Sequence, residues 1–89
     1  MDAEYGFGRT YVYAIKDGSM TFIPKSDISK IKGGVGFSKY INKYFVRITL
    51  VHISNGIETD LFYKTFTNND DAEKELKNQY GYIQEFYDD

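Results

Sequence analysis

The chain has 89 residues, with eleven Lys and Arg against thirteen Asp and Glu, and a formal net charge of −2. That length gives room for one small core and excludes a second domain, while the lack of cysteine excludes a disulfide framework and any thiolate metal site. Nine Tyr and seven Phe with no Trp exclude ordinary disorder and suit strands with one half-buried face.

Residues 9–24 read as a first hairpin: RTYVYAIK, then Asp17-Gly18, then SMTFIP. Asp-Gly suits a type I′ turn, and Thr10, Val12 and Ala14 alternate with Tyr11, Tyr13 and Ile15 on opposite faces. Gly18-Ser19-Met20 also has the form of an engineered junction. Pro24 has no N–H to give a ladder, so it ends the second strand or marks an edge. Residues 25–43 then read as an irregular, basic, Gly-containing link. KSDISKIK fits one helical turn, a 3₁₀ turn or a short strand, and GGVG reads as a flexible connector.

The strongest pattern is 44–66, YFVRITLVHISNGIETDLFYKTF, read as a central hairpin around Asn55-Gly56. A two-residue turn there pairs Ser54 with Ile57, His52 with Thr59, Leu50 with Leu61, Ile48 with Tyr63 and Val46 with Thr65. It also sets Arg47 across from Lys64, a like-charge pair. After Phe66 the period lengthens. Asn68 or Asn69 suits an N-cap, Asp70 and Glu73 have capping-box spacing, and Ala72, Leu76, Tyr80, Ile83 and Tyr87 form one stripe. A helix is expected over 69–86, continuing through Gly81 instead of stopping at Tyr80.

The predicted fold is α+β in one domain: a small four-stranded antiparallel sheet of two hairpins, with one C-terminal helix packed on a face. A hairpin closed by a helix resembles the way pleckstrin-homology-like barrels end. That fold needs more strands than these elements supply, so the resemblance is one of architecture.

Charge is unevenly distributed. Residues 1–47 hold eight bases and four acids, a balance of +4, and residues 48–89 hold three bases and nine acids, a balance of −6. The leading expectation is a non-enzymatic binding or regulatory protein working by protein–protein contact. Its surface would be acidic, made by Glu58, Asp60, Asp70, Asp71, Glu73 and Glu75, in the manner of an inhibitor or nucleic-acid mimic. The alternative is nucleic-acid binding through Lys30, Lys32, Phe37, Lys39, Tyr40, Lys43 and Arg47, where cations for phosphate alternate with rings for bases. Contact between the basic pole of one copy and the acidic pole of another would give a homodimer.

His52, the one histidine, reads as a filler of the hairpin, because no nucleophile or ligand set is spaced to meet it. GGVGF lacks the Lys-Ser/Thr of a phosphate loop. No catalytic residue, metal site or cofactor is therefore expected. The N-terminus starts with acids and lacks a basic leader, and no run approaches the ~20 apolar residues of a membrane span, which points to a cytoplasmic protein with no membrane partner. Low Pro and abundant Lys, Asn, Ile and Tyr associate with an AT-rich source such as a phage or mobile element.

Overall fold

A computed structural model describes residues 3–87, with side chains through Gln84. Its elements are β1 (Ala3–Phe7), β2 (Tyr11–Lys16), β3 (Ser19–Pro24), a 3₁₀ turn (Lys25–Asp27), β4 (Ile28–Ser38), β5 (Lys43–His52), β6 (Glu58–Phe66) and α1 (Asn69–Tyr87). The class is α+β in a single domain, but the expected four-stranded sheet is corrected to a six-stranded antiparallel sheet ordered β3-β2-β1-β6-β5-β4. Two strands account for the difference. The short AEYGF of β1 lies in the middle of the sheet, and the supposed irregular link over 28–38 is an edge strand paired along its length with β5.

The strand order places β3 and β4 at opposite edges, yet only Lys25–Asp27 separates them in the chain. The sheet must therefore curl until its edges meet at that corner. Two backbone bonds hold the corner: Lys25 N–H donates to the Thr10 carbonyl at 3.0 Å, and Ile53 N–H donates to the Asp27 carbonyl at 2.8 Å. Curling brings both halves onto one core, with Val12, Ala14 and Ile23 from one side and Val46, Ile48, Leu50 and Leu61 from the other. Each fully buried aliphatic chain among these contributes about 1.5–3 kcal/mol by leaving water.

Of the two turn pairs, Asp17-Gly18 takes the double positive-φ conformation, at 51° and 83°. At Asn55-Gly56 only the glycine does so, and the connection between β5 and β6 widens to residues 53–57. Gly56 N–H donates to the His52 carbonyl, and Asn55 Oδ1 accepts from Ile57 N–H. The expected register is corrected accordingly. Leu50 pairs with Thr59, Ile48 pairs with Phe62, and Leu61 is the extra residue of a bulge between them. Arg47 faces Tyr63 instead of Lys64, so the anticipated like-charge pair does not form; Lys64 points to the helix and approaches Glu75 at 3.8 Å.

The helix begins at Asn68, whose Oδ1 accepts from Asp71 N–H at 2.9 Å while its Nδ2 donates to Asp71 Oδ2 at 3.0 Å. The reciprocal pair is thus Asn68 and Asp71, not Asp70 and Glu73. α1 lies over β4, β5 and β6, with Ala72 and Ile83 buried and Leu76 packed on the core. Gln79 Oε1 accepts from the Tyr5 hydroxyl at 2.5 Å, and burial, then the neighbouring Tyr82 and Glu75, push that phenol well above its usual range. Tyr87, the last member of the expected stripe, lies outside the described side chains.

The helix runs through Gly81, where an added Cβ would meet nothing within 4 Å. Gly81→Ala is expected to stabilise the protein by about 0.5–1 kcal/mol, because alanine restricts the unfolded chain and fits the helix without strain. Thermal melting should rise by several degrees; an unchanged or lower midpoint would mean that this turn of helix is not formed in solution.

Candidate functional site

The β4–β5 pairing sorts the basic segment by alternation. Ile31, Val35 and Phe37 pair with Leu50, Val46 and Tyr44 on the concave, core side. Lys30, Lys32, Gly34 and Gly36 pair with Val51, Thr49, Arg47 and Phe45 on the outer side, and Ser38 with Lys43 continues the row. Past the Leu61 bulge of β6, Tyr63 joins the same face opposite Arg47. The outer face of β4, β5 and β6 therefore carries Lys30, Lys32, Lys43 and Arg47 in one row with Phe45 and Tyr63, Arg47 being the cation that lies on the rings.

The two rings stack at 5.5 Å between centroids with 26° between planes, and the Arg47 guanidinium lies over both, 5.5 Å from Phe45 and 5.4 Å from Tyr63. Lys32 forms an ion pair with Glu58, and Asp60 pairs with Lys16 at 3.2 Å. Among the described residues no acid pairs with Lys30, Lys43 or Arg47. No acid at all occurs between Ile28 and Ile57. Between the cations runs a groove of about 380 Å³, lined by Lys32, Gly34, Gly36, Phe45, Arg47, Thr49 and Glu58.

Of the seven residues expected for nucleic-acid binding, Lys30, Lys32, Lys43 and Arg47 share this face. Lys39 and Tyr40 sit at the β4–β5 turn, where Tyr40 is 100% exposed, and Phe37 turns to the other side of the sheet against Tyr44 at 5.0 Å. Sequence reading missed Tyr63, Gly34 and Gly36, because their place depends on two pairing registers.

The six residues expected for an acidic surface are placed apart. Glu58 and Asp60 lie on the outer sheet face against Lys32 and Lys16, whereas Asp70, Asp71, Glu73 and Glu75 lie on the helix, on the other side of the sheet. Asp71 is engaged by the cap, and Glu75 by Lys64.

A second polar cluster sits at the curled corner. Asp27 Oδ2 is 3.1 Å from His52 Nδ1 and accepts from Ser54 Oγ at 3.1 Å, while Oδ1 accepts from Ser54 N–H at 2.9 Å. A carboxylate only accepts, so Nδ1 carries the proton, and in the neutral ring Nε2 accepts from the Thr59 hydroxyl at 2.8 Å. A hydroxyl, an imidazole and a carboxylate in line have the order of a proton relay. Here their bonds tie the 3₁₀ turn to β5, β6 and the turn between them, so His52, expected to have no nucleophile or ligand set placed to meet it, has both a hydroxyl and a carboxylate.

The His52 bond first, and the Ser54 amide next, hold the Asp27 carboxyl below the ordinary carboxylate range. A lowered native value stabilises the fold above the unfolded value near ~3.9, and that contribution is lost as pH falls through the native one. Asp27→Asn is expected to lower stability at neutral pH and to flatten this acid limb of the unfolding midpoint against pH. An unchanged limb would show that other carboxylates carry it.

Among the described residues no group of His, Asp and Glu is arranged to hold a metal ion, and no helix is long and apolar enough to cross a membrane. Comparison with family models, with characterised proteins and with solved structures finds no match to this chain.

Proposed function

We propose that the chain is a non-enzymatic binding protein that takes single-stranded nucleic acid along the outer face of β4, β5 and β6. The observation that carries this reading is the alternation of β4 and β5, which sets Lys30, Lys32, Lys43 and Arg47 on the same side of the sheet as Phe45 and Tyr63. Cations tracking a backbone and rings accepting bases are what single-strand recognition needs, and both are present within reach of each other. The overall acidity of the chain does not oppose it, since most of the helix acids lie across the sheet and the two outer-face acids already have lysine partners. The reading in which an acidic surface contacts a protein has less support, because its six residues are divided between two sides and four of them are engaged.

Fluorescence anisotropy with a labelled homodeoxycytidine oligonucleotide tests the proposal over a series of salt concentrations. Lys30→Glu, Lys43→Glu and Arg47→Glu together should abolish binding at moderate salt, and should flatten the slope of log affinity against log salt by about 2 where binding is still measurable. Reversing Asp70, Asp71, Glu73 and Glu75 to lysine should leave the affinity intact or raise it. No binding by the native protein at low salt, or binding indifferent to the triple reversal, would overturn the reading.

A further inference from the structure

The groove on this face has a notch that electrostatics alone does not explain. Gly34 lies on the outer side of β4 between two lysines and a second glycine, and an added Cβ there would meet nothing within 4 Å. At Gly36 an added Cβ would fall 2.4 Å from the Phe45 ring, so that ring lies directly over the backbone of β4 and walls one end of the space. Arg47 pairs with Gly34 across the ladder and rises beside it. The Lys32–Glu58 ion pair borders the opening, with the buried Thr49 beneath. The volume of about 380 Å³ lies in the range of small-molecule sites, ~300–1,000 Å³.

We infer that the notch over Gly34 seats one base of the bound strand, with its face on the β4 backbone, its edge toward Phe45, and a flanking phosphate on Arg47. The inference rests on the nucleic-acid reading above and adds to it a preference for unpaired bases. A flat, side-chain-free stretch of strand walled by an aromatic ring accepts a planar group, and a guanidinium already lying on rings is free to stack on another. Bases inside a duplex have their faces covered by neighbouring pairs and cannot enter. A sulfated polysaccharide carries the charge and lacks the plane.

Gly34→Val separates these contributions. The backbone there is extended and the space is open, and a β-branched residue suits a strand, so the fold should keep or raise its unfolding midpoint while the valine fills the notch. The probes are labelled homodeoxycytidine oligonucleotide, the same sequence as a duplex, and heparin. Expected are a native preference for the single strand over the duplex, a loss of roughly ten- to a hundredfold in oligonucleotide affinity for Gly34→Val, and heparin binding unchanged. Phe45→Leu, which keeps an apolar wall and removes the ring, should reproduce the selective loss and guards against a folding defect in the first variant. Unchanged oligonucleotide affinity in both variants, equal loss for heparin, or a native protein that binds heparin and duplex as well as single strand would overturn the inference while leaving an anion-binding face. A native protein that binds none of the three probes would overturn the reading on which it rests.

Discussion

Leu61→Ala is expected to lower the unfolding free energy by about 3 kcal/mol, within the ~2–5 kcal/mol span of buried leucine truncations. The large size of the effect follows from the bulge. Phe62 is opposite Ile48 and Asp60 is opposite Thr49, so Leu61 is inserted into β6 with no partner of its own, and it has no exposed surface. The ladder is paired on both sides of the insertion, which leaves the backbone little freedom to close over the missing atoms. For a domain of this size each kcal/mol displaces the melting midpoint by roughly 4–8 °C, so the variant should melt on the order of 15 °C lower. Urea unfolding with an unchanged slope would confirm a loss of packing and not of native compactness. A cost below ~1 kcal/mol would mean that Leu61 is not seated in the core.

Gly33→Ala should cost about 1–3 kcal/mol by overpacking, although the next residue in the chain tolerates a larger side chain. The added methyl would lie 2.6 Å from Ile48 Cδ1, 3.2 Å from Leu76 Cδ1 and 3.3 Å from the Arg47 carbonyl, between a fully buried side chain and the helix. Relieving the contact means lifting α1. The helix is fastened at this point by Tyr80, whose hydroxyl accepts from Gly33 N–H at 3.0 Å and donates to the Gly33 carbonyl at 2.8 Å. Tyr80→Phe removes both bonds and should cost about 1 kcal/mol. The double variant should cost less than the sum, because a displaced helix has already lost what the hydroxyl provides. Strict additivity, measured by urea unfolding of the four proteins, would show that Gly33 and Tyr80 act independently.

The helix was legible in the sequence because its signals are local: a cap at Asn68, acids in the first turn, and a stripe from Ala72 to Ile83 strong enough to outweigh Gly81. The first turn was legible for the same reason, with both positive-φ positions at Asp17-Gly18. β4 was not. Its glycines look like a connector, but Gly33 admits the helix and Gly36 admits the Phe45 ring, and both demands come from residues far along the chain. At Asn55-Gly56 the pair is overruled from a distance. The Asp27 carboxylate takes the Ser54 amide and the His52 imidazole, and the connection spreads to satisfy it. That change and the Leu61 bulge together moved the register, so the pairing of Arg47 with Tyr63 was hidden. The cations of the candidate face could be counted in advance, but which of them shared a side depended on a strand that the glycines concealed.

The central position of β1 has a consequence for how the molecule is made. Ala3 pairs with Tyr63 and with Lys16, so the strand nearest the amino terminus joins the two halves of the sheet. During synthesis β1, β2 and β3 can pair as soon as they emerge, but the free side of β1 has no partner until β6 has been translated. The β1–β3 meander must therefore wait through the synthesis of β4 and β5 with an open edge and an uncovered apolar face. The final joining, with α1 closing over the core, cannot precede the synthesis of β6 and α1.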